Sequence, residues 1–104
     1  MDSPILYHQN AYGQAQKCSC HQEVRLTFGN ISLLISPGQA EGFSDHVHEA
    51  LNAYRDLEDL DERCIYLATG NHAIMFALTY NELLQLGDIL SHTLLMMQVE
   101  KALR

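Results

Sequence analysis

A chain of 104 residues, 47% hydrophobic and carrying a net charge of −7, is long enough for one folded domain with a genuine core. Its six basic residues stand singly, so no basic patch exists to neutralise phosphates, and neither nucleic acid nor an anionic membrane surface is expected as a partner. No apolar run reaches the roughly 18 residues of a membrane helix, and Met1-Asp2-Ser3-Pro4 carries neither a basic nor an apolar signal segment, so the expected address is cytoplasmic.

Residues 1–17 are polar, with Gly13 and Gln14-Ala15-Gln16, and predict a flexible N-terminal arm that Ile5, Leu6, Tyr7 and Tyr12 could anchor. A single α+β domain is expected over 18–104. It opens on Cys18-Ser19-Cys20-His21, two thiols and an imidazole within four residues. Zinc takes four such ligands in a tetrahedron, although Cys-x-Cys is tighter than the usual knuckle spacing. A fourth ligand would have to come from Cys64, His8 or His72. Cys64 is the preferred one, since parallel neighbouring strands would bring the start of the third strand beside the clip. The plainer reading is unmetallated thiols on a lead-in to the first strand. Three cysteines in a reducing compartment argue against disulfides, and no Cys-x-x-Cys redox motif is present. No cofactor is expected, with zinc at Cys18, Cys20, His21 and Cys64 as the alternative.

Val24, Leu26 and Phe28 alternate with Arg25 and Thr27, the period of a half-buried strand. Gly29-Asn30 is a two-residue hairpin loop, and Ile31, Leu33 and Ile35 carry the inward face back. Ser36-Pro37-Gly38-Gln39 then reads as a capping box with proline at the first helical position. As an anion-binding helix start it is weak, having one glycine and no adjacent lysine. Ala40, Phe43, Val47, Ala50, Leu51 and Tyr54 form the apolar stripe of the first helix. His46 and His48 point about 160° apart on that helix and cannot share a metal. Glu41, Asp45, His48 and Asn52 read as a solvated face.

The segment "RDLEDLDER", 55–63, holds five acids and two arginines and reads as a solvated linker, without the ordered ligand spacing of a calcium loop. Beyond it the pattern repeats. Gly29-Asn30 falls on Gly70-Asn71 at an offset of 41; after two extra residues in the second copy the offset is 43, and Ser36 falls on Thr79, Phe43 on Leu86, Val47 on Leu90 and Leu51 on Leu94. Ile65 and Leu67 match Val24 and Leu26. His72, Ile74, Phe76 and Leu78 supply the returning strand, and Thr79-Tyr80-Asn81-Glu82 is a second capping box. Leu83, Leu86, Leu90, Leu94 and Met97 form the second helical stripe. The expected fold is therefore a duplicated ββα unit (ββα-ββα), with one four-stranded, mainly antiparallel sheet and two helices on one face. Repeat one spans 23–54, the acidic linker 55–62 and repeat two 63–99.

The second unit has more apolar surface than one core needs. Cys64, Tyr66, Ala68, Ala73, Met75 and Ala77 stand opposite the inward strand face, and Leu84, Ile89, Leu95, Met96, Val99 and Leu103 lie off the helical stripe. Contiguous apolar patches usually mark interfaces. Tyr66, Ala73, Met75, Leu95 and Met96 are the candidate interface residues of a homodimer. His72, in an inward register, and His92, near the interface, read as structural. No Gly-x-Ser-x-Gly nucleophile and no glycine-rich phosphate cradle appear.

The segment from Cys18 to about Gln98, with "CSCH" leading into "VRLTFGNISLLIS", resembles a family of small uncharacterised bacterial proteins with closely spaced N-terminal cysteines. The resemblance implies no activity, cofactor or catalytic residue, and suggests only that the clip is a family feature. The expected function is a non-enzymatic, self-associating binding or regulatory module. The alternative is a zinc-binding protein using the clip.

Overall fold

A computed structural model of the chain describes residues 5–18, 23–70 and 73–103. Six strands and two helices follow in the order β1 (Ile5–Gln9), β2 (Gly13–Lys17), β3 (Val24–Phe28), β4 (Ile31–Ile35), α1 (Pro37–Ala53), β5 (Ile65–Ala68), β6 (Met75–Leu78) and α2 (Tyr80–Ala102). The fold is α+β with a four-stranded antiparallel sheet, but its strands are not the expected four. The sheet runs β1-β2-β3-β4, and β5-β6 is a separate two-stranded hairpin.

The reason lies in residues 5–17, where a loose arm was expected. They form a hairpin whose second strand takes the free edge of β3, with Gly13 opposite Phe28, Ala15 opposite Leu26 and Lys17 opposite Val24. Tertiary pairing makes strands here despite polar composition. Asn10 shapes the turn. Its Oδ1 accepts from the backbone N–H groups of Tyr12 at 2.9 Å and Gly13 at 3.2 Å.

The β3–β4 hairpin closes as its residues dictate. Phe28 pairs with Ile31, and Gly29 between them has φ +61°, where a β-carbon would be strained. Val24, Leu26, Phe28 and Ile35 are buried, while Arg25 and Leu34 face out. On the β5–β6 hairpin Ile65 pairs with Leu78 and Leu67 with Phe76, all four inward. Phe76 packs edge-on to Phe28 and stacks on Phe43, which joins hairpin, sheet and α1 in one core.

Both helices begin with complete capping boxes, at Ser36 with Gln39 and at Thr79 with Glu82. α2 packs along α1 and across β1 and β2. Ile89 consequently lies at full burial rather than in the surplus apolar set. A helix covered by a sheet on one side and a helix on the other needs an apolar band wider than one stripe.

Arg63, at the end of the acidic segment, donates to both carboxylate oxygens of Glu82. Burial pushes the Glu82 carboxyl up, but hydrogen bonds from Arg63 and from the Thr79 backbone outweigh it and hold the pKa below the ordinary value. The folded pKa is thus lower than the unfolded one. Its stabilisation is present at neutral pH and is lost as pH falls through the carboxylate range. Glu82→Gln is expected to cost about 1 kcal/mol at pH 7 and much less at pH 3. Urea unfolding of both proteins at the two pH values checks this; an equal difference at both would remove the charge from the account.

Candidate functional site

The metal clip anticipated from the cysteines does not assemble with Cys64. Cys18 follows Lys17, whose Nζ lies 2.7 Å from Glu100 Oε2 near the C-terminal end of α2. Cys64 precedes Ile65, which pairs with Leu78 just before α2 begins. A helix of 23 residues is about 34 Å long at 1.5 Å per residue, so the two thiols sit towards opposite ends of α2 and cannot share an ion. Both are free and half-buried. Cys20, His21 and His72 lie outside the described residues. A cleft of about 350 Å³ opens where α1 begins. Lys17 at its edge is neutralised by Glu100, which does not favour the helix start as an anion site.

Three other ligand-type side chains do converge. His8 on β1 and Asp88 and His92 on α2 each offer an atom within 4.8 Å of the other two. His8 reaches the helix because β1 is bulged. Leu6 pairs with Gln16 but His8 with Ala15, so the register shifts across Tyr7. A regular strand would turn Tyr7 and His8 to opposite faces; the bulge leaves both half-buried, with Tyr7 against the core. Asp88 and His92 share a helix face through their i, i+4 spacing.

The carboxylate is densely bound. His8 Nε2 lies 2.8 Å from Asp88 Oδ2, and Asn10 Nδ2 donates to the same oxygen at 3.0 Å and to the Gln85 carbonyl at 3.0 Å. His92 Nδ1 is 3.1 Å from Asp88 Oδ1 and 2.9 Å from the Asp88 carbonyl oxygen. The two imidazoles stack, with centroids 4.1 Å apart and planes within 7°. The Asn10 hydrogen bond, more than any other influence, draws the Asp88 carboxyl below its usual pKa; burial opposes it, and the His8 hydrogen bond adds to it. The residue pattern offers His8 only as a possible fourth ligand for the clip and His92 as structural, and gives Asp88 no ligand role. The one local signal was the Asp-x-x-x-His spacing.

No family model, curated protein or solved structure matches this chain. The candidate surfaces therefore stand on their own geometry. Among the expected interface residues, Tyr66 is 66% and Met75 54% exposed. Both lie on the outward face of the β5–β6 hairpin, where Ala68, Ala73 and Ala77 are also exposed. Leu95 and Met96 are exposed on α2, as are Leu84, Val99 and Leu103. His48, expected on a solvated face, is exposed but bound at both nitrogens, to the Ser44 carbonyl oxygen at 2.7 Å and to Ser91 Oγ at 3.3 Å. No helix among the described residues is long and apolar enough to cross a membrane.

Proposed function

We propose that the protein is a non-enzymatic binding module that works as a homodimer, with the outer face of the β5–β6 hairpin as its contact surface. The observation that carries this reading is the exposure of Tyr66 and Met75 on a face with no charged residue among those described. The inward face of the hairpin is packed into the core, whereas Tyr66 and Met75 on its outward face are more than half exposed. A second copy laid on that face buries its apolar side chains, and a two-fold pair is the commonest closed arrangement. Leu95 and Met96 extend the apolar surface along α2. The order β3-β4-α1 followed by β5-β6-α2 supports a duplicated ββα unit, whose second copy forms a two-stranded sheet of its own. The net charge of −7 speaks against nucleic acid as the bound partner.

The test is mass in solution by light scattering. The natural chain is expected at twice its 11.8 kDa. Met75→Glu buries two carboxylates in the contact and is expected to weaken association at least about a hundredfold, giving monomer with unchanged circular dichroism. A natural chain that is monomeric at high concentration, or a Met75→Glu protein that stays dimeric, overturns the reading.

A further inference from the structure

We propose that His8, Asp88 and His92 form a binding site for a divalent transition-metal ion of the zinc class, clamping β1 to α2. This site is independent of the hairpin face and of the cysteine clip.

The donor set favours such an ion. Two imidazoles and one carboxylate suit zinc, nickel or copper, whereas magnesium and calcium take mainly oxygen. Zinc bonds of about 2.0–2.2 Å place tetrahedral ligand atoms roughly 3.4 Å apart. The three donor atoms already lie within 4.8 Å of one another. The remaining difference is about an ångström, within the reach of side-chain rotation. The rings must splay from their parallel stack for their lone pairs to converge, and the solvent side leaves room for this. The side chains of His8, Asp88 and His92 are 24%, 37% and 50% exposed. That exposure also provides an entry path and leaves the fourth position to water.

The surroundings have the character of a metal site's outer shell. The Asp88 carbonyl oxygen 2.9 Å from His92 Nδ1 is a backbone acceptor for that nitrogen's proton. An ion bound through Nε2 leaves that hydrogen bond in place, and one bound through Nδ1, which lies 3.1 Å from Asp88 Oδ1, replaces it. Asn10 donates to Asp88 and to the Gln85 carbonyl, so it orients the carboxylate from the turn next to the strand that carries His8. The bulge across Tyr7 is what aims His8 at the helix. The ligands come from two elements 80 residues apart in sequence, so an ion here ties the N-terminal hairpin to the C-terminal helix. The chain's negative charge raises the local concentration of cations.

The experiment uses untagged full-length protein in which Cys18, Cys20 and Cys64 are all serine, so that no thiol competes. Zinc chloride is titrated calorimetrically, and cobalt(II) is followed by its visible absorption. About one zinc per chain is expected, with a raised melting temperature and a cobalt spectrum free of thiolate charge transfer. His92→Gln and, separately, Asp88→Asn should each weaken zinc at least about tenfold while leaving the circular dichroism unchanged. His8→Gln is the second imidazole variant, should His92→Gln prove unstable. Absence of zinc binding by the thiol-free protein overturns the proposal, as does binding that all three variants leave undiminished. Light scattering of the same samples reads the dimer separately, so either proposal can fail alone.

Discussion

Gly13→Ala is expected to destabilise the protein by about 3 kcal/mol, as large an effect as deleting much of a buried leucine. Gly13 begins β2 directly opposite Phe28. A β-carbon there would overlap the Thr27 carbonyl oxygen and stand 3.0 Å from Phe28 Cα. Both neighbours are backbone, fixed by the β3–β4 ladder, so nothing flexible can yield. The glycine's role is close approach: it lets β2 lie against β3 beside the Asn10 turn. A residue with a side chain must lift the strand and break Ala15 from Leu26, two buried positions. For a domain of this size the loss amounts to about 10–20 °C in melting temperature. Thermal unfolding followed by circular dichroism reads it. A Gly13→Ala protein melting within a few degrees of the natural chain would mean that residues 5–17 are a dispensable arm after all.

That outcome bears on why part of the fold could be read from residue patterns and part could not. Strands β3 to β6 follow from alternation, as in Val24, Leu26 and Phe28, and both helices from capping boxes that form with the anticipated partners. These signals are local and survive in isolation. The first hairpin has none. In β1 the bulge breaks the period of two between Leu6 and His8. In β2, Gly-Gln-Ala-Gln-Lys offers a single buried residue, Ala15. Its strand character comes from the edge of β3, which no window along the chain contains. Without β1 and β2, residue patterns leave the second hairpin as the only visible neighbour for the edge of β3, which β2 in fact occupies. The same gap hid the His–Asp–His cluster. Asp88 and His92 are neighbours on a helix, but His8 joins them only once β1 is known to lie across α2. Cys18 and Cys64 show the converse: a motif attractive by residue type, which the course of α2 separates.

Gly87 carries the second large expectation, and it concerns how closely the two helices approach. It is buried in the middle of α2, at the contact with α1. A β-carbon added there would lie 3.2 Å from Leu51 Cδ1 and 3.4 Å from Val47 Cγ1. Glycine inside a helix costs up to about 1 kcal/mol relative to alanine. In Gly87→Ala that gain offsets a crowding which the mobile end of Leu51 can relieve by a few tenths of an ångström. The alanine variant should therefore stay within about 1 kcal/mol of the natural chain. Gly87→Leu is different. Its branched end must enter space bounded by Val47, Leu83, Leu86 and Leu90, all buried to within 1%. With the β-carbon itself already tight against Leu51 and Val47, the larger side chain is expected to force the helices apart at a cost of about 3 kcal/mol or more. Separation would also pull Ser91 from His48 and the Tyr80 hydroxyl from the Leu51 carbonyl. Urea unfolding of the two variants side by side distinguishes backbone propensity from packing. If propensity alone governed position 87, leucine, nearly as good a helix former as alanine, would be as harmless as alanine. A steep loss confined to leucine is what a close-packed α1–α2 contact requires.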